Sequence, residues 1–137
     1  MADTANLSGI KVMVIDDSNT IRRSAEIFLV QAGCQVILAE DSFDALAKIA
    51  DQQPQIIFVD IMMPRLDGYQ TCALIKKNPR LSPTPVIMLS SRDGLFDRAR
   101  GRMAGSDEYL TKPFTKDSLL RAVASHARRG DGAAHAG

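Results

Sequence analysis

Cysteine is scarce in this sequence, and its scarcity excludes two kinds of scaffold at once. Cys34 and Cys72 are the only two, too few for a disulfide framework and not spaced for a structural metal site. Each stands among apolar neighbours and reads as a small buried hydrophobe of a reducing compartment. The two histidines, His126 and His135, have no partner at ligand spacing and read as surface or tail residues. Neither sign of charge dominates: 17 Lys and Arg stand against 16 Asp and Glu, so no global field favours nucleic acid or an anionic membrane. No helix-turn-helix segment is present either, so no nucleic-acid partner is expected. No apolar run approaches the roughly 20 residues that span a bilayer, and residues 1–8 are polar, with no apolar signal segment. A cytoplasmic protein without membrane insertion is the expectation. Internal repeats are missing, and so is low complexity inside the fold.

What is present is an ordinary globular composition, 45% hydrophobic and 24% charged over 137 residues, enough for one domain with a sizeable core. Short apolar runs alternate with longer helical patterns. Residues 11–16, KVMVID, form a compact β-branched run that reads as a buried strand. Ser18 can cap the following helix, whose apolar positions Ile21, Ala25, Phe28, Leu29 and Ala32 recur at helical spacing and which Gly33 stops. Residues 35–39 form a second strand. Ser42 is the expected cap of a helix carrying Phe43, Leu46, Ala47, Ile49 and Ala50, with Pro54 just beyond.

Residues 56–60 are apolar until their final acid, a strand with both faces covered. A loop over 61–68 follows, marked by Pro64 and Asp67-Gly68, then a helix over 69–77 and a stiff connection through Pro79, Pro83 and Pro85. Residues 86–90 are the fourth strand. A helical stretch of weaker apolar content runs over about 93–103 and ends at Gly105. Residues 108–111 are a short fifth strand, Lys112-Pro113 a turn, and Thr115 the cap of a last helix to about residue 128, with Leu119, Leu120 and Val123 inward. The domain is expected over residues 10–129, between a short N-terminal extension (1–9) and a disordered Gly/Ala-rich tail (130–137). Five βα units argue for a parallel sheet wound on both faces.

In such a sheet, ligands lie beyond the carboxyl ends of the strands. Those ends carry the chemistry. The first strand ends in Asp16-Asp17, the third in Asp60 and the fourth in Ser90-Ser91, and the fifth runs into Lys112. Three carboxylates, a hydroxyl and an ammonium therefore meet at one edge. Clustered carboxylates raise one another's pKa, and a divalent cation relieves that conflict. Mg2+ prefers oxygen ligands and commonly takes one or two carboxylates together with phosphate oxygens. Such a pocket suits a phosphoryl group, with a carboxylate as candidate nucleophile for an aspartyl phosphate.

This constellation resembles the receiver domain of two-component response regulators, over about residues 11–128. The segment from Asp60 to Gly68, DIMMPRLDG, closely resembles the family's phosphoacceptor loop. Residues 58–76 and 86–95 resemble the stand-alone receivers of type IV pilus twitching-motility chemosensory systems. The resemblance implies an α/β fold, a doubly wound (βα)5 sheet with the flavodoxin-like strand order 2-1-3-4-5. It implies Asp60 as phosphoacceptor and Mg2+ held by the side chains of Asp17 and Asp60 and the backbone carbonyl of Met62, with Asp16 acting through a metal-bound water. Ser90 and Lys112 would bind phosphoryl oxygens, Ser90 and Tyr109 would form the switch pair, and Lys112-Pro113 would be a cis peptide.

The resemblance further implies a single-domain phosphoacceptor switch rather than an enzyme, monomeric or a phosphorylation-dependent dimer. Its partners would be the histidine kinase of a chemosensory system and a downstream protein docking on the face made by the fourth helix, fifth strand and last helix. Output would be by binding, since no output domain follows. Arg92, Arg98, Arg100 and Arg102 lie near that face, as a solvated surface or as docking residues. Two positions tune phosphoryl lifetime in the family, two residues after the acceptor and two after the hydroxyl residue. Here they are Met62 and Arg92, neither an acid nor an amide, which leads us to expect slow self-dephosphorylation.

Three rivals fit less well. An aspartyl-nucleophile phosphatase usually places a second acid two residues after the first and carries a cap, whereas Asp16 and Asp17 are adjacent. A flavin mononucleotide binder needs a phosphate loop where Asp16 and Asp17 would repel the anion. A degenerate receiver serving as a scaffold would be expected to lack some of the pocket residues.

Overall fold

The computed structural model describes residues 6–91, 99, 100, 102 and 104–127. In chain order its elements are β1 (Lys11–Ile15), α1 (Asn19–Gln31), β2 (Gln35–Ala39), α2 (Ser42–Gln52), β3 (Ile56–Asp60), α3 (Gly68–Lys77), β4 (Val86–Ser90), β5 (Glu108–Thr111) and α4 (Lys116–His126). The five strands form one parallel sheet in the order β2-β1-β3-β4-β5. The helical stretch expected over 93–103 lies mostly outside the described residues, among which Ala99, Arg100 and Arg102 are helical.

Alternation along each strand divides the core in two, because successive side chains point to opposite faces. Val12, Val14, Ile56, Phe58, Ile87 and Leu89 pack on one face with Ala25 and Leu29 of α1 and Leu119, Leu120 and Val123 of α4. Met13, Ile15, Ile57, Val59, Val86 and Met88 pack on the other with Ala45 and Ile49 of α2 and Cys72 and Ile75 of α3. Residues of β3 and β4 are buried throughout, as strands covered by helices on both faces must be. Cys34 and Cys72 are buried free thiols. Leu7, outside the boundary read from the sequence, is fully buried in the first cluster, and the Gly9 N–H donates to Gly33 O at 2.9 Å.

Ser18 caps α1 by accepting from Ile21 N, and Thr115 caps α4 by accepting from Ser118 N. The second helix differs from expectation. Its cap is Asp41, which accepts from Asp44 N at 2.8 Å, and Ser42 is the first helical residue. The loop after β3 also ends earlier than its turn signals suggest. Asp67 caps α3 in a reciprocal box with Gln70, and Gly68 is already helical. Among the described residues, no helix is long and apolar enough to cross a membrane.

Candidate functional site

Parallel strands carry their last residues to the same edge, so the chemistry there follows from where each strand stops. Asp60 ends β3 beside Leu89, and Ser90 ends β4 beside Thr111. Asp16 directly follows β1 and is anchored by its own N–H to Ala39 O at 3.1 Å. Lys112 follows β5, held by its N–H to Ser90 O at 2.6 Å, and the Lys112–Pro113 peptide is cis.

These anchors bring the expected residues together. Carboxylate oxygens of Asp16, Asp17 and Asp60 all lie within 4.8 Å of one another. Asp16 is 0% exposed and Asp60 3%, whereas Asp17 is open to solvent. Lys112 Nζ donates to Asp60 Oδ1 at 2.9 Å and to Asp16 Oδ2 at 3.1 Å. Lys112 balances one of the three negative charges that the acids carry when all are ionised. The donor set is all oxygen, which suits a hard divalent cation such as Mg2+ rather than a thiolate- or imidazole-seeking metal.

Electrostatics follow from burial. Loss of water pushes the Asp60 carboxyl up to about 6, with the charge of Asp16 adding to the rise and the hydrogen bond from Lys112 opposing it. Burial alone would lower Lys112, but its hydrogen bond to Asp60 and the two carboxylate charges outweigh that, and its pKa is raised. The pocket thus holds a secure cation beside a carboxylate that binds a proton more readily than a free one.

Met62, expected to offer its carbonyl to the metal, donates its N–H to Asp60 Oδ1 at 3.3 Å, and it is 74% exposed. Ser90 is buried at the pocket edge. Tyr109 is half-buried against the second core cluster and stands beside Met88 in the sheet. With Arg102, Ser106, Asp107 and Glu108 it lines a cavity of about 300 Å³. Arg92, Arg98 and His135 lie outside the described residues. Arg100 stacks its guanidinium 4.1 Å from the centroid of the Tyr69 ring, and His126 Nε2 lies 3.5 Å from Glu108 Oε2.

Two site residues escaped the sequence reading. Arg22 donates to the Asp16 carbonyl at 2.6 Å while the Ser18 N–H donates to Asp16 Oδ1 at 2.8 Å, so the buried acid is held from both ends. The signal for Arg22 was its place one turn into a helix capped by Ser18. In sequence, Gly68 reads as a turn residue. Its real constraint is proximity: a Cβ there would lie 2.4 Å from the Asp60 carbonyl oxygen.

A doubly wound parallel sheet with three carboxylates and a lysine at its switch-point edge defines an α/β domain built around an acidic, cation-ready pocket. The chain belongs to the response regulator receiver domain family, whose profile matches residues 12–124. It is 71% identical over 118 residues to Protein PilG of Pseudomonas aeruginosa, covering 86% of this chain and 87% of that one. Among solved structures, the chemotaxis protein CheY4 of Vibrio cholerae superposes with a TM-score of 0.83 at 28% identity, covering 87% of this chain and 99% of its own. A putative response regulator from Chloroflexus aurantiacus gives a TM-score of 0.84 at 28% identity, covering 89% and 100%.

Proposed function

We propose that this receiver domain is a phosphoacceptor switch in which Asp60 takes a phosphoryl group from a histidine kinase. The observation that carries this reading is the three-carboxylate cluster with Lys112 bonded to two of its members. An Asp60 carboxylate oxygen attacks phosphorus, forming an acyl phosphate, and the bond from phosphorus to the donor's leaving group breaks with its electron pair going to that group. Lys112, already at 2.9 Å from Asp60, neutralises charge on the transferred oxygens. The Ser90 hydroxyl donates to another of them. Asp17, Asp60 and the Met62 carbonyl would hold Mg2+, and Asp16 would act on it through a water. When bound, the metal supplies Lewis-acid neutralisation of the phosphoryl oxygens.

The added phosphate carries about two negative charges and gives Ser90 and Lys112 contacts that the unmodified pocket lacks. Only such differential contacts shift a two-state equilibrium. Tyr109 and the cavity beside it lie on the face through which we expect the shift to reach a downstream protein. The resemblance to twitching-motility receivers and the identity with PilG support a place in chemosensory control of a type IV pilus.

The test is intact mass after incubation with acetyl phosphate and Mg2+, beside Asp60→Asn and a sample in EDTA. One added phosphoryl group, absent from both controls, is the expected result. No added mass and no Mg2+ binding would replace the switch with a scaffold that keeps the pocket but not its chemistry.

A further inference from the structure

The loop from Ile61 to Asp67 must be held still if its backbone is to serve the pocket, yet its external ties differ greatly in quality. On the outside, Arg65, which has a left-handed backbone with φ 66°, reaches Asp41 Oδ2 at 3.2 Å and lies 4.8 Å from the Phe43 ring centroid. Both contacts are open to water, and exposed pairs of this kind contribute little. On the inside, Ser42 and Thr71, 1% and 0% exposed, bring their hydroxyl oxygens within 2.5 Å of each other. Ser42 Oγ is also 3.0 Å from Leu66 O, and Thr71 Oγ1 is 2.8 Å from Asp67 O. Neither hydroxyl belongs to the acidic pocket. Both hold the loop that leads out of it.

Two hydroxyls carry two protons, and they make three short contacts, so the contacts cannot be independent bonds. The Asp67 carbonyl already accepts from Thr71 N at 3.0 Å, whereas Leu66 O is reached by Ser42. The arrangement that satisfies most groups runs in one direction: Thr71 donates to Ser42, and Ser42 donates to Leu66 O. A buried chain of this kind strengthens along its length and is costly to leave half made.

We infer that Ser42 and Thr71 are positioning residues for the phosphoryl and metal site, a buried hydroxyl relay from α3 through α2 that fixes the loop between Asp60 and Gly68. The inference rests on the proposed function for the Met62 carbonyl, and otherwise on the relay alone. It orders the two residues. Ser42→Ala strips Leu66 O of its donor and lets Thr71 turn back to Asp67 O, so the loop loses its hold. Thr71→Val removes only the outer donor and leaves the bond from Ser42 to Leu66 O in place.

The experiment measures two quantities in wild type, Ser42→Ala, Thr71→Val, Ser42→Thr and Thr71→Ser. One is Mg2+ affinity by titration. The other is amide hydrogen exchange by NMR in EDTA, comparing Met62, Leu66 and Gly68 with the strand amides. Ser42→Ala is expected to weaken Mg2+ binding by about tenfold, the lower end for an outer-shell residue, and to speed exchange in the loop more than in the strands. Thr71→Val should do the same to a smaller extent, and the variants that keep a hydroxyl should stay near wild type. Loop exchange unchanged, or raised only in step with the strands, would overturn the inference, as would Thr71→Ser behaving like Thr71→Val, since volume and not the hydroxyl would then matter. If wild type binds no Mg2+, the proposed function fails, and the exchange comparison in EDTA still decides the relay.

Discussion

Lys112 Nζ lies 2.9 Å from Asp60 Oδ1 across 52 residues of sequence, and the same nitrogen reaches Asp16 at 3.1 Å. One ammonium, on a side chain 15% exposed, therefore holds the candidate nucleophile and the buried acid together. A phosphoryl group on Asp60 would compete for that ammonium, and this competition ties occupancy of the pocket to the loop after β5.

Removing the ammonium strands two buried carboxylates. Lys112→Met keeps much of the aliphatic stem and should destabilise the protein by on the order of 3 kcal/mol in EDTA, the scale for breaking one side of a buried pair. Mg2+ should restore part of the loss by supplying the missing charge. Urea midpoints with EDTA and with Mg2+ measure both numbers, and an equal deficit in the two conditions would mean that the carboxylates do not share a cation site.

Asp60→Asn should stabilise the protein in EDTA at neutral pH. The folded carboxyl titrates at about 6, above its ordinary value of 3.8, so the folded state binds the proton more tightly than the unfolded one. Stability from this group is therefore present below the unfolded value and is lost as pH rises through the folded one. At about 1.4 kcal/mol per pKa unit, the charged form costs on the order of 2–3 kcal/mol above pH 6. The variant should match wild type near pH 4, gain over it from pH 4 to 6, and hold a constant lead beyond. Paired thermal melts across that range measure the difference with other acids cancelled. A lead that does not change with pH would show that Asp60 is not the titrating group.

Much of this was legible in the sequence because buried parallel strands leave a plain trace. Apolar runs such as 56–60 are what strands covered on both faces require, and β1, β3 and β4 end at or beside the candidate site residues Asp16, Asp60 and Ser90. Relations across the sheet leave no such trace. Lys112 and Asp16 are 96 positions apart, and nothing local says that one ammonium serves two acids. Ser42 misled for a local reason: Ser and Asp both cap helices, Asp41 took that place, and the Ser42 hydroxyl was free to turn to Leu66. Leu7 stands alone in a polar stretch, so its burial depends on packing that periodicity does not report.

Gly68→Ala should harm the site more than the small change suggests. The added Cβ would sit 2.4 Å from the Asp60 carbonyl oxygen and 2.8 Å from Ile61 Cα, and both neighbours are backbone that cannot rotate away. Overpacking of this kind costs about 1–3 kcal/mol or more, and relief would shift the end of β3 itself. Both the melting temperature and the rate of labelling by acetyl phosphate should fall. A variant that melts lower but labels at the wild-type rate would show that the strain is absorbed in α3 rather than at Asp60.

On the proposed function, the lifetime of a phosphorylated Asp60 depends on whether water can be aimed at phosphorus, and the exposed Met62 side chain, two residues beyond it, has only a thioether to offer. A thioether is a weak acceptor and no base. The purified phosphoprotein should therefore decay over minutes or longer. Met62→Glu places a carboxylate where an attacking water could be oriented and deprotonated, and it should shorten the half-life by roughly ten- to a hundredfold, at or below the lower end of what a positioned acid–base group contributes. Because Met62 is 74% exposed, the change should leave the melting temperature nearly untouched, which separates an effect on chemistry from one on the fold. Decay followed by intact mass after removal of the donor gives both half-lives. A wild-type half-life of seconds would remove the premise, since another group would already be aiming the water. An unchanged half-life in the variant would mean that access to phosphorus, and not orientation of water, limits hydrolysis.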